Sequence, residues 1–130
     1  MPQYMLLIFS DPTQGPAEGS PEAQAQWEAW GTYTQSLHDA GVFVSGEPLE
    51  APSTATTVAV RNGERVVTDG PFAETKEQVG GFYVIECANL DEALEWAKKV
   101  PARAGNIEVR PVMDYSVPGE EEPVAAEASS

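Results

Sequence analysis

Cysteine and histidine are almost missing from this chain of 130 residues, which holds one of each, Cys87 and His38. A lone cysteine excludes an internal disulfide and fits a reducing compartment. One cysteine and one histidine also argue against a transition-metal centre, because such sites draw several ligands from these two residue types. No phosphate loop, nucleophile elbow or zinc-ligand spacing occurs, and no cofactor is expected. Basic residues are scarce: seven Lys and Arg stand against 21 Asp and Glu, for a net charge of −14. Glu120, Glu121, Glu122 and Glu127 lie near the C-terminus and leave −10 for residues 1–119. Phosphate binding needs a basic face, so nucleic acid is not an expected partner. An anionic membrane surface is disfavoured on the same ground. No run approaches the ~20 apolar residues of a membrane span. No basic region precedes the short N-terminal apolar run and no small-residue cleavage site follows it, so no signal peptide is expected. These absences together predict a cytoplasmic protein.

What is present is ordinary for a folded chain: 42% apolar and 22% charged residues, enough for one domain with a real core. Tyr4 to Phe9 is an unbroken apolar run ended by Ser10-Asp11-Pro12, which predicts a central strand covered on both faces. Pro12, Gly15, Pro16 and Gly19 mark a loop. Ser20-Pro21-Glu22 then reads as a helix start, with Ser20 as N-cap and Pro21 at the first helical position. Ala23, Trp27, Trp30, Thr34 and Leu37 form its expected buried stripe, and Gly41 its left-handed end. Gly31 lies mid-helix at a cost of about 1 kcal/mol against alanine; close packing there is the favoured reason, and simple tolerance by the helix the alternative.

Val42 to Leu49 predicts a second strand. Thr56–Val60 and Glu64–Thr68 flank Asn62-Gly63, the strongest short hairpin signal. Gly81 to Cys87 reads as another central strand, with Phe82, Val84 and Glu86 on one face and Tyr83, Ile85 and Cys87 on the other. Asn89-Leu90-Asp91-Glu92 is a capping box opening a second helix, whose expected buried face is Leu90, Ala93, Leu94, Ala97 and Val100 before Pro101 stops it. Ile107 to Val112 predicts the last strand, and residues 117–130 a disordered acidic tail after a domain of residues 1–116. Without the hairpin the order is βαββαβ, an α+β, ferredoxin-like pattern with an inserted β-hairpin. Helices cover one sheet face. The other face is apolar too, so a homodimer with facing sheets and a cavity between them is expected.

The richest concentration of turn formers and ionisable groups lies at Asp69-Gly70-Pro71-Phe72-Ala73-Glu74-Thr75-Lys76-Glu77, between two strand-like runs. At Asp69-Gly70-Pro71-Phe72 the chain resembles the YCII-related proteins, specifically the branch with this Asp-Gly-Pro-Phe (DGPF) motif. Tyr4 to Ile8, Gly46-Glu47-Pro48-Leu49, Glu74 to Glu77, Gly80-Gly81-Phe82, Asn89 to Ala97 and Glu108 to Pro111 are similar to further blocks in family order. The resemblance implies a dimeric α/β-barrel of two ferredoxin-like subunits. Other members carry a His–Asp pair proposed as catalytic, the Asp just before a proline. Here Val100 precedes Pro101, and His38 lies about two turns beyond the Ala29–Trp30 region where the family histidine falls. The pair is therefore not carried over. The resemblance also suggests a setting beside extracytoplasmic-function sigma factors.

Candidate residues follow from chemistry. Asp69 is a ligand contact or base, or the cap of its own turn. Phe72 stacks on a ligand or anchors the loop in the core. Lys76, between Glu74 and Glu77, holds an anionic ligand or pairs with its neighbours. Glu86 sits in an apolar strand, where a carboxylate needs a partner or a wet cavity. Glu108 and Arg110 share a strand face and pair or line one cavity. His38 reads as a helix-end surface residue and Cys87 as a small core residue. The leading expectation is a small-molecule-binding, regulatory module with Asp69, Phe72, Glu74, Lys76 and Arg110 around a small anionic metabolite. The alternative is a cofactor-free enzyme of isomerase or oxygenase type, with Asp69 or Glu86 as general base. A third reading is a sigma-factor partner.

Overall fold

The computed structural model describes residues 1–73 and 75–114. Glu74 and the expected tail, residues 117–130, lie outside the described residues. Six strands and two α-helices follow one another as β1 (Gln3–Ser10), α1 (Pro21–Asp39), β2 (Phe43–Pro48), β3 (Thr56–Arg61), β4 (Glu64–Asp69), β5 (Gln78–Glu86), α2 (Leu90–Lys98) and β6 (Asn106–Pro111). Four of them form one antiparallel sheet in the order β2-β5-β1-β6, and β3 pairs with β4 in a separate two-stranded ribbon. The apolar runs Tyr4–Phe9 and Phe82–Cys87 thus take the two inner positions, where both strand edges are paired.

Local chemistry sets the ends of these elements. Ser20 Oγ accepts from the Ala23 N–H and Asn89 Oδ1 from the Glu92 N–H, so each helix start has its cap. Glu92 Oε1 reaches back to the N–H of Ala88, one residue beyond the usual capping-box partner. Asn62 and Gly63 both adopt positive φ, 51° and 83°, as a tight right-twisted hairpin turn requires.

Strand alternation sorts the sheet into two faces. Tyr4, Leu6, Ile8, Tyr83, Ile85 and Cys87 point to the helical side, where Tyr33 and Leu37 of α1 and Ala93 and Val100 beyond them complete the core. On the opposite side Met5, Leu7, Phe9, Phe82 and Val84 are half-buried. Among the described residues of one chain, then, only the helical side of β1 and β5 is covered.

Both helices bury part of the face read in the sequence and are rotated enough to turn the rest of it outward. In α1, Tyr33 and Leu37 are buried, whereas Trp27 is 67% exposed. In α2, Ala93, Ala97 and Val100 face the sheet as read from the sequence, joined by Trp96, whereas Leu90 and Leu94 are exposed. Two constraints explain the rotations. The Tyr33 hydroxyl donates to the Trp96 carbonyl at 2.9 Å, tying α1 to α2. The small side chain of Ala93, fully buried, brings α2 close to the sheet and lets the larger leucines turn outward.

Candidate functional site

The apolar stripe of α1 serves a different purpose from the core. Ala23, Trp27, Trp30 and Thr34 lie at spacings of three and four, on one side of the helix. All four line a cavity of about 730 Å³ between α1 and the sheet, whose floor includes Ile8, Phe43, Gly46, Gly81 and Tyr83. Gly31 also fronts this space, and a Cβ built there meets nothing within 4 Å. The expected close packing at Gly31 is therefore corrected: the glycine borders a void.

Tyr83 organises the cavity. Its ring packs edge-on against Tyr33 and Phe43 and lies nearly parallel to Trp30, with a 6.5 Å centroid separation and a 13° interplanar angle. Gly46 makes room for it, since a Cβ there would stand 2.7 Å from Tyr83 Cδ1. Thr34 Oγ1 donates to the Trp30 carbonyl at 2.9 Å and stands 2.6 Å from the Tyr83 hydroxyl. With the threonine proton so used, the tyrosine is the donor, and its oxygen keeps acceptor capacity for a ligand. His38, on the last turn of α1, stacks on Phe43 with 4.1 Å between centroids and also borders the cavity. Gln26 fixes the far end by donating its amide to the Pro101 carbonyl.

Charge is nearly absent here. No Lys or Arg lines the cavity. Among the described residues its one carboxylate-bearing residue, Glu47, stands opposite Phe82 in the register and next to inward-facing Gly46, so alternation directs its side chain to the other sheet face. What remains is a set of aromatic surfaces with a few hydroxyl, amide and imidazole groups, the usual make-up of a small-molecule site.

The residues singled out by sequence lie elsewhere. Asp69 ends β4 in the open and makes no side-chain hydrogen bond among the described residues; its turn is held by the Gly70 N–H to the Ala55 carbonyl and by Thr57 Oγ1 to the Gly70 carbonyl, both at 2.7 Å. Phe72 is 89% exposed, so it does not anchor the loop in the core. Lys76 is exposed, and its charge acts on Asp11. The hydroxyl and backbone N–H of Thr13, then this lysine, hold the Asp11 carboxyl below the usual range. Glu77 ties the loop to β6 by accepting from Asn106 Nδ2 at 2.7 Å. Glu86 is half-buried on the open sheet face beside Gln3, at 3.5 Å, and Arg110 pairs there with Glu108 at 3.8 Å. None of Asp69, Phe72, Lys76, Glu86 and Arg110 lines the larger cavity, and no hydrogen bond or ion pair among the described residues joins Asp69, Lys76, Glu86 and Arg110 to one another. Cys87 is buried in the core, and desolvation pushes its thiol pKa up. The described residues contain no cluster of three or more His, Cys, Asp and Glu suited to a metal ion, and no helix long and apolar enough to cross a membrane.

An antiparallel sheet in the order β2-β5-β1-β6 with two helices on one face is an α+β arrangement compatible with the ferredoxin-like fold. Within that class the chain belongs to the YCII-related domain family, which it matches over residues 3–116. It is 37% identical over 120 residues to an uncharacterized protein of Rhizobium meliloti (strain 1021), across 90% of this chain and 96% of that protein.

Proposed function

We propose that this YCII-related protein is a non-catalytic binding module, active as a homodimer with facing sheets, whose α1–sheet cavity takes an uncharged, largely apolar small molecule. The cavity carries this reading: about 730 Å³ lined by Trp27, Trp30, Phe43 and Tyr83 without a single Lys or Arg. An anion there would lose its hydration and gain no cation in return. Aromatic faces would enclose the body of the ligand, and the Tyr83 oxygen would accept a hydrogen bond from it. The half-buried Met5, Leu7, Phe82 and Val84 of the opposite sheet face supply the apolar surface for dimerisation. A protein partner, an extracytoplasmic-function sigma factor by the family resemblance, would read out occupancy.

The test is a titration with N-phenyl-1-naphthylamine, an uncharged fluorescent probe, followed by energy transfer from tryptophan. Saturable binding at one probe per chain is expected, with a sulfonated analogue binding at least tenfold more weakly. Absence of saturable binding, or equal affinity for the sulfonate, would contradict the reading. A second reading places an anionic ligand at the Asp69–Lys76 loop, with Phe72, Glu74 and Arg110 as further contacts. It is favoured by the Lys76 ammonium, which has no ion-pair partner among the described residues. Lys76→Ala separates the two, because it leaves the naphthylamine affinity unchanged and removes binding of any anion held by the loop.

A further inference from the structure

The β3–β4 ribbon stands outside the economy of the core. No hydrogen bond among the described residues joins it to the four-stranded sheet. Its register puts Val58 and Val60 of β3 on the same face as Val67 of β4, and these side chains are 55%, 53% and 67% exposed. Phe72, just beyond its base, is the most exposed large apolar residue among those described. A two-stranded hairpin alone is marginal in water, and an uncovered apolar ribbon invites pairing with another chain.

We infer that this ribbon is an arm that clasps a second copy of the chain, with Phe72 as its anchor. The inference rests on the homodimer reading above and adds a contact to it. Charge points to this occupant. Arg61 and Arg65, at the arm's tip, donate only to carbonyls of their own turn, Val60 at 3.1 Å and Gly63 at 3.2 Å, and neither guanidinium has a carboxylate partner among the described residues. They are two of seven basic residues in a chain of net charge −14, so another copy offers the acidic surface they lack. Size agrees as well. Six-residue strands make an arm face about 20 Å long and 10 Å wide. That is about 200 Å², a quarter of the ~800 Å² each partner gives to a standard interface. The arm is too small to form a dimer by itself and is suited to reinforce one made by the open sheet face. Two-fold symmetry makes the contact reciprocal, with each copy clasping the other.

Sedimentation equilibrium of the full chain tests this with three variants. Val58→Glu combined with Val67→Glu places charge on the exposed arm face. Phe72→Ser changes a side chain that touches little in the single chain, so its fold is safe. Val84→Glu strikes the open sheet face. The expected result is a wild-type dimer whose dissociation constant rises at least tenfold in the arm variant and in Phe72→Ser, with unchanged far-UV circular dichroism. If Val84→Glu dissociates the dimer while both arm-side variants leave its affinity unchanged, the arm inference is overturned and the facing-sheet dimer stands. If the arm-side variants dissociate it and Val84→Glu does not, the arm contact holds, the facing-sheet reading falls, and a surface other than the open sheet face supplies the rest of the interface. A wild-type chain that stays monomeric at roughly 100 μM overturns both.

Discussion

Gly31 offers a direct probe of the relation between the cavity and the stability of α1. It lies in the middle of a 19-residue helix, where glycine costs about 1 kcal/mol relative to alanine through backbone entropy. Nothing in the structure repays that cost by close packing, since a Cβ at this position meets no atom within 4 Å. Gly31→Ala is therefore expected to stabilise the protein by about 1 kcal/mol, which for a chain of this size raises the midpoint of thermal unfolding by roughly 3–5 °C. Gly31→Phe keeps most of the helical gain but projects a ring into the cavity, and is expected to abolish binding of the naphthylamine probe. The pair is measured by thermal melts in circular dichroism and by the fluorescence titration. Destabilisation by Gly31→Ala would refute the geometry of α1. Undiminished probe binding by a folded Gly31→Phe would refute the assignment of the ligand to this cavity. If both results are as expected, the glycine is retained for the width of the cavity at the expense of the helix.

Two further perturbations test the packing behind the site. Burial, reinforced by Tyr83, raises the Tyr33 pKa well above its ordinary value, and the neutral hydroxyl donates to the Trp96 carbonyl. A raised folded-state pKa means that this contribution is complete below the unfolded value of about 10 and is lost as pH rises beyond it. Denaturant melts should show stability falling with pH in that alkaline window; Tyr33→Phe should cost about 1 kcal/mol at neutral pH and flatten the alkaline fall, and an unchanged alkaline slope would contradict the assignment. Gly105 adopts φ +107°, and a Cβ there would run into the Phe9 carbonyl. Gly105→Ala is thus expected to cost about 2 kcal/mol or more in urea titrations, whereas a cost below about 0.5 kcal/mol would show that the β1–β6 end relaxes freely.

Features settled within three or four residues were legible in the sequence. Ser20, Asn89 and Asn62-Gly63 meet partners a turn away, and the structure finds each in its expected role. The rotation of each helix about its axis was legible only in part, because the surface it packs on decides it. Trp27, Trp30, Thr34 and Leu37 fit one stripe by spacing, yet α1 carries two: Tyr33 and Leu37 in the core, and Ala23, Trp27, Trp30 and Thr34 along the cavity. Adjacent apolar positions at 30, 33, 34 and 37, with a glycine among them, were the available sign of a stripe too wide for a single contact. The cavity escaped for a second reason. Charged groups mark a candidate site most plainly in a sequence, and this cavity has no Lys or Arg among the described residues.

The distribution of apolar surface favours assembly as the condition for function. Eleven hydrophobic residues are buried among those described, and the core they form lies on one side of one sheet. α1 gives that core only Tyr33 and Leu37, because much of its inner surface overlooks the cavity. A sheet of this size covered on one side leaves Met5, Leu7, Phe9, Phe82 and Val84 half-buried, and the arm leaves Val58, Val60 and Val67 open to water. Such surface favours association in proportion to its apolar area, through the same hydrophobic term that folds the chain. The cavity lies on the helical side, away from both surfaces. In the proposed dimer, association would stabilise the sheet that forms the cavity floor without occupying the cavity, and leave the longest helix free to hold the proposed ligand.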